Sequence, residues 1–87
     1  MNELHDFLAE VRAFLNSLEF LSPSERAEVD HLVDHDEIGE ALRTLAWIIV
    51  EEGHAVPPDV HRAIRSLSAG LVVPEQMPPD FRGENSQ

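Results

Sequence analysis

Apolar residues recur along this chain at steps of three and four, in four separate stretches. In the first, Leu4, Phe7, Leu8, Val11, Phe14, Leu15 and Leu18 fall on one stripe of a helix with 3.6 residues per turn. The spacing predicts a helix from Asn2 to Phe20. Glu3, Asp6, Glu10 and Glu19 lie on its outer face, with Arg12 as the only base. Ser22-Pro23-Ser24-Glu25 then signals a second helix start: Ser22 can accept a free backbone N–H, proline suits the first helical position, and Glu25 completes a capping box. This helix runs to Val33, buries Val29, Leu32 and Val33, and turns Asp30, His31 and Asp34 outward. A helix this short is marginal alone and must dock on its neighbours.

Asp34-His35-Asp36-Glu37 offers a further N-cap with an acid three residues later. Ile38, Ala41, Leu42, Leu45, Ile48 and Ile49 then carry helical spacing to Glu52, where Gly53 is suited to stop it. The second half of this helix, Leu45 to Val50, is apolar nearly all round and belongs at the centre of a bundle. Val56-Pro57-Pro58-Asp59 resets the chain for a fourth helix, Pro58 to Ala69, with a narrow stripe of Val60, Ala63, Ile64, Leu67 and Leu71 and with Gly70 at its end. Beyond it, Val72-Val73-Pro74 and Met77-Pro78-Pro79 predict an extended segment that packs back through Val73, Met77 and Phe81. No strand-like alternation or internal repeat occurs. The expected fold is all-α: a compact single-domain bundle of four helices over residues 1–82, with an extended Pro-rich C-terminal segment and a disordered tail at 83–87.

Composition narrows what such a bundle can do. At 87 residues there is room for one core and none for a second. Cysteine is absent, which excludes disulfides, thiolate metal sites and a cysteine nucleophile, so packing alone must hold the fold. Two acids stand in the first six residues, where a signal peptide would carry positive charge, and the longest apolar run is too short to span a bilayer. The expectation is a soluble, cytoplasmic protein. Seventeen acidic residues against six arginines give a net charge of −11. That charge repels phosphate backbones, so nucleic acid is an improbable partner and a basic protein a favoured one.

The acids are concentrated. Between positions 25 and 40 stand Glu25, Glu28, Asp30, Asp34, Asp36, Glu37 and Glu40, with Arg26 as the only base. Helix caps account for Glu25 and part of the Asp34-to-Glu37 turn. Glu28, Asp30 and Glu40 have no base close in sequence, and like charges four apart, such as Asp30 and Asp34, destabilise a helix by a few tenths of a kcal/mol, roughly. The excess suits a basic protein surface, which the same field would steer into contact. Trp47 and Arg43, residue types that dominate binding hot spots, stand nearby on the third helix. Trp47 lies opposite the apolar stripe, and its large area favours burial from a second side over a role as an exposed anchor. Gly39, inside the same helix, suits either a close approach or simple proximity to the helix start.

His31 and His35 are four apart, a spacing at which two imidazoles can share a zinc ion. Position 32 is leucine, so the glutamate of a zinc-hydrolase motif is missing, and no third ligand is set by spacing. The prediction is no metal and no cofactor, with a metal-responsive module as the minor alternative. No carboxylate pair has a spacing that catalysis requires, and no nucleophile or phosphate loop stands beside one, so an enzyme is not expected.

From Ser22 to Pro79 the layout resembles a known family. Leu21-Ser22-Pro23-Ser24-Glu25 opens a short helix, His35-Asp36-Glu37-Ile38-Gly39-Glu40 forms an acidic turn, Ala41-Leu42-Arg43-Thr44-Leu45-Ala46-Trp47 leads to Glu51-Glu52, and Val56-Pro57-Pro58 opens the last helix. This is similar to the small bacterial immunity proteins of the MafI type and, more loosely, to immunity proteins of contact-dependent and polymorphic toxin systems. The resemblance covers about two thirds of the chain and implies an all-helical cytosolic protein that binds and blocks one cognate toxin domain. It carries over no contact residues. From the charge pattern, the expected partner-binding surface is Glu28, Asp30, Asp34, Asp36, Glu37 and Glu40, with Arg43 and Trp47. The free protein is expected to be a monomer or weak dimer without membrane association. The alternative is a helical oligomerisation or adaptor domain with a protein partner.

Overall fold

Four helices form in the order expected: α1 (Glu3–Ser17), α2 (Pro23–Asp34), α3 (Ile38–Glu51) and α4 (Pro58–Ser68). Two single-turn 3-10 helices follow, Pro74–Gln76 and Pro79–Phe81. This computed structural model describes the backbone of residues 3–81 and the side chains of residues 6–81; the expected tail at 83–87 lies outside the described residues. Among the described residues there is no strand. The radius of gyration is 12.5 Å, close to the ~12 Å of a compact domain of this length.

The start of α2 follows the capping signal in full. The Glu25 N–H donates to Ser22 Oγ at 3.1 Å, and the Glu25 carboxylate accepts the Ser22 N–H at 2.9 Å. The start of α3 does not follow it. Glu37 occupies the N-cap without a side-chain hydrogen bond, because the Asp34-to-Glu37 turn is used to end α2. Asp36 takes a left-handed conformation, φ 62°. The Asp36 N–H donates to the Val33 carbonyl at 3.0 Å and the Glu37 N–H to that of Leu32 at 2.9 Å, the paired bonds of a Schellman close. Gly53, φ 69°, ends α3 with the same pairing, through Gly53 to Val50 and His54 to Ile49.

At its C-terminus α1 stops at Ser17, short of the expected Phe20, and Arg26 meets it there. Its guanidinium, half-buried on α2, donates to the Leu15 carbonyl at 3.1 Å and to that of Leu18. The Leu15 carbonyl, which also accepts the Leu18 N–H at 3.2 Å, and the Leu18 carbonyl just past the helix end are thereby held from the side, by a charge that also complements the negative end of the helix dipole. A salt bridge between Arg12 and Asp34, 2.9 Å, ties the same two helices further along.

The core gathers Val11, Leu15 and Leu18 of the first segment, Val29 and Val33 of α2, Ala41, Leu42, Leu45, Ala46 and Ile49 of α3, and Ile64 and Leu67 of α4. Phe7, Leu8, Phe14 and Leu32 pack around it half-buried. The closest backbone pairings are of α3 with α2 and with α4, so the all-apolar half of α3 is central, as its pattern requires. At Gly39 a Cβ would stand 3.1 Å from the Leu71 carbonyl oxygen, so the bare backbone there admits the chain leaving α4. The C-terminal segment packs back as a strap through Met77, Pro78 and Phe81, all buried. It is wound into the two 3-10 turns rather than extended. Val73, expected to join it, is 54% exposed.

Substitutions at two positions test these joints. Arg26→Met should lower unfolding free energy in urea by about 2 kcal/mol, the loss of hydrogen bonds from a charged donor, with Arg26→Lys restoring only part. Asp36→Gly should raise stability, whereas Asp36→Val should lower it by about 1–2 kcal/mol, the cost of a left-handed residue with a branched Cβ.

Candidate functional site: an acidic groove beside Trp47

Only part of the acidic run converges. Glu25 and Glu28 of α2, Glu40 and Glu51 of α3, Glu52 after it and Glu75 of the strap line one open groove, together with Arg43, Thr44, Trp47, Ile48 and Gln76. Six carboxylates thus surround a single guanidinium, and that guanidinium is itself bound to Glu40 at 2.6 Å. Glu40, expected to lack a base, has one three residues away on the same helix face.

Of the predicted surface, Glu28, Glu40, Arg43 and Trp47 meet in this groove. Asp30, Asp34, Asp36 and Glu37 do not line it. Asp34 is turned toward α1, where it pairs with Arg12, Asp30 is half-buried on α2, and Asp36 and Glu37 are exposed at the α2–α3 turn. The reason is helical phase: the groove lies where α2 meets α3, and Asp30 and Asp34 fall outside that side of α2.

Trp47 is half-buried. Its indole N–H donates to the Gln76 carbonyl at 2.8 Å, which satisfies the polar atom that an aromatic of this kind must place. The strap covers the indole from the second side in part, and the remainder belongs to the groove wall. Glu51, Glu52, Glu75 and Gln76 are absent from the predicted surface. Glu51 stands four residues after Trp47 on the same face of α3, a spacing legible in the sequence, whereas Glu75 and Gln76 reach the groove only through the strap's docking.

At one end of the groove, Glu25 also accepts a hydrogen bond from His54 Nε2 at 3.3 Å, and the His54 ring packs against Phe20, centroids 5.0 Å apart. The N-terminus of α2, the α1–α2 connection and the segment after α3 are joined there. The Ser22 N–H is the main reason that the Glu25 carboxyl lies below its ordinary range; partial burial opposes it, and the hydrogen bond from His54 adds to it. His31 and His35 pack ring against ring at the end of α2, centroids 4.3 Å apart and the planes tilted by 49°, with His35 Nδ1 directed to the His31 carbonyl at 2.9 Å. Among the described residues no group of three or more potential ligands is placed to hold a metal ion, and no helix is long and apolar enough to cross a membrane.

No protein-family model matches the chain, and the curated proteins and solved structures give no match either.

The depressed Glu25 value has a signed consequence. A carboxyl with a folded-state pKa below its unfolded one contributes stability that is complete above the unfolded value and is lost as pH falls through the folded one. Glu25→Gln should therefore flatten the acid limb of the stability curve below about pH 4.3, the ordinary glutamate value, in thermal melts across pH 2 to 5, roughly. An unchanged acid limb would remove Glu25 as a contributor.

Proposed function

We propose that the protein is an immunity-type inhibitor that binds a basic toxin domain and neutralises it by occlusion, with no chemistry of its own. The observation that carries this reading is the groove of six carboxylates around Trp47, built from three separate elements and left with one internally paired base. Such a surface is complementary to a cleft lined by lysine and arginine, including one shaped for phosphate, and its field accelerates encounter with that partner. Trp47, partly fixed by Gln76, supplies a rigid aromatic anchor beside the charges, the combination that concentrates binding energy in few residues. The resemblance to MafI-type immunity proteins points the same way, and a cytoplasmic site of action belongs to this proposal.

The test is co-expression with the product of the neighbouring gene. Relief of growth arrest is expected, with a one-to-one complex whose association slows as salt rises. Glu28→Lys with Glu40→Lys should reduce the association rate by about tenfold or more and abolish protection while the helical circular dichroism persists. Asp30→Lys with Glu37→Lys, outside the groove, should act far more weakly. Full protection by the groove variant would remove the site, and a harmless neighbour would remove the function's main support.

A further inference from the structure

Glu75 and Gln76 give the acidic groove part of its wall, yet the turn that carries them is lightly held. Residues 73–76 are exposed, between the approach of Leu71 to Gly39 on one side and the buried Met77 and Phe81 on the other. Phe81 also stacks on His61 of α4, centroids 4.3 Å apart. Within the exposed stretch Pro74 has no N–H to donate, and the Gln76 N–H returns to the Val73 carbonyl three residues back. The hydrogen bond from the Trp47 indole N–H to the Gln76 carbonyl, 2.8 Å, ties the stretch to α3. Charge works against that tie. Docking sets the Glu75 carboxylate in a groove already lined by Glu25, Glu28, Glu40, Glu51 and Glu52, whose arginine is bound to Glu40.

We propose, resting on the reading of the acidic groove as the basic partner's surface, that residues 73–76 form its lid: tied shut by Trp47, pushed open by the carboxylates, and closed by a cationic occupant. In the empty groove Glu75 meets like charge with little compensation, and the exposed turn lifts between its two anchors while Met77 and Phe81 stay in the core. An incoming lysine or arginine side chain is attracted to Glu75 as well as to the helix carboxylates. It therefore removes the repulsion and is enclosed by the same movement. Because the occupant binds the shut form better, its binding shifts the population toward that form. The strap thus adds its contact after encounter, which slows the departure of a partner more than its arrival.

Deuterium exchange of the Trp47 indole N–H reads the lid directly, since the chain has one tryptophan and that proton lies in the tie. Nuclear magnetic resonance on the full chain at low salt should give it a protection factor at least about tenfold below that of the Leu45 amide in the core. Hexa-arginine amide should raise the indole's protection. Glu75→Gln should raise it about twofold with no ligand present, the effect of removing a like-charge contact, while Asp30→Asn, outside the groove, should leave it unchanged. Equal protection of the indole and the Leu45 amide, no rise in Glu75→Gln, or an equal rise in Asp30→Asn would each overturn the lid. Cell protection in co-expression by a chain with any of those results would leave the inhibitor standing without its lid. The expected rises would support the lid even where the neighbouring gene proves harmless.

Discussion

The placement of Arg26 decides both how the bundle is joined and how its surface is charged. It is the only base among seven acids between positions 25 and 40, and its hydrogen bonds go to none of them. Its guanidinium turns instead to the Leu15 and Leu18 carbonyls, where it meets the end of α1 and fastens it to α2. A guanidinium held by two carbonyls at a helix end is well satisfied, so the acids beside it have lost their nearest counter-charge. Asp34 finds Arg12, Glu40 finds Arg43, and Glu25 finds His54. The contact that anchors α1 thus also withdraws a positive charge from the acids of α2.

The groove itself depends on chain crossings of long range. Gly39 lets the chain leaving α4 pass at backbone distance. Met77, Pro78 and Phe81 then fix the strap in the core, and Gln76 receives the Trp47 indole N–H. Each step positions the next: without the passage at Gly39 the strap would be displaced outward, and without the strap the groove would lack Glu75, Gln76 and a partner for the indole.

Periodicity makes the four helices legible, because their apolar stripes are regular and α2, α3 and α4 each meet proline, glycine or a capping box at one end at least. The turn at Asp34-to-Glu37 departs from its sequence reading for a physical reason. Acids near a helix start resemble caps, yet a left-handed aspartate can end the preceding helix with the same residues, and sequence spacing does not distinguish the two uses. The candidate site is legible by half. Charge density locates Glu28 and Glu40, and the hot-spot preference of Trp and Arg locates Trp47 and Arg43. Asp30, Asp34, Asp36 and Glu37 share the charge run but not the groove, because neighbours in sequence need not be neighbours in space. Glu75 escapes a sequence reading because it joins the groove only through tertiary packing, whereas Glu51, four residues after Trp47 on α3, lies outside the charge run that the sequence reading followed. The close approach at Gly39 and the tether from Arg26 likewise depend on segments far along the chain.

The hydrogen bond from Trp47 to Gln76 also gives the molecule an optical coordinate of its own. Trp47 is the only tryptophan and there is no tyrosine, so near-ultraviolet emission comes from one indole, whose N–H is bound to the strap. The strap holds only two 3-10 turns, with few backbone hydrogen bonds to protect them, which places it among the segments that open before the helices do. Emission follows the docking of the strap while circular dichroism follows the helices. The two signals separate a local opening from global unfolding within a single unlabelled chain.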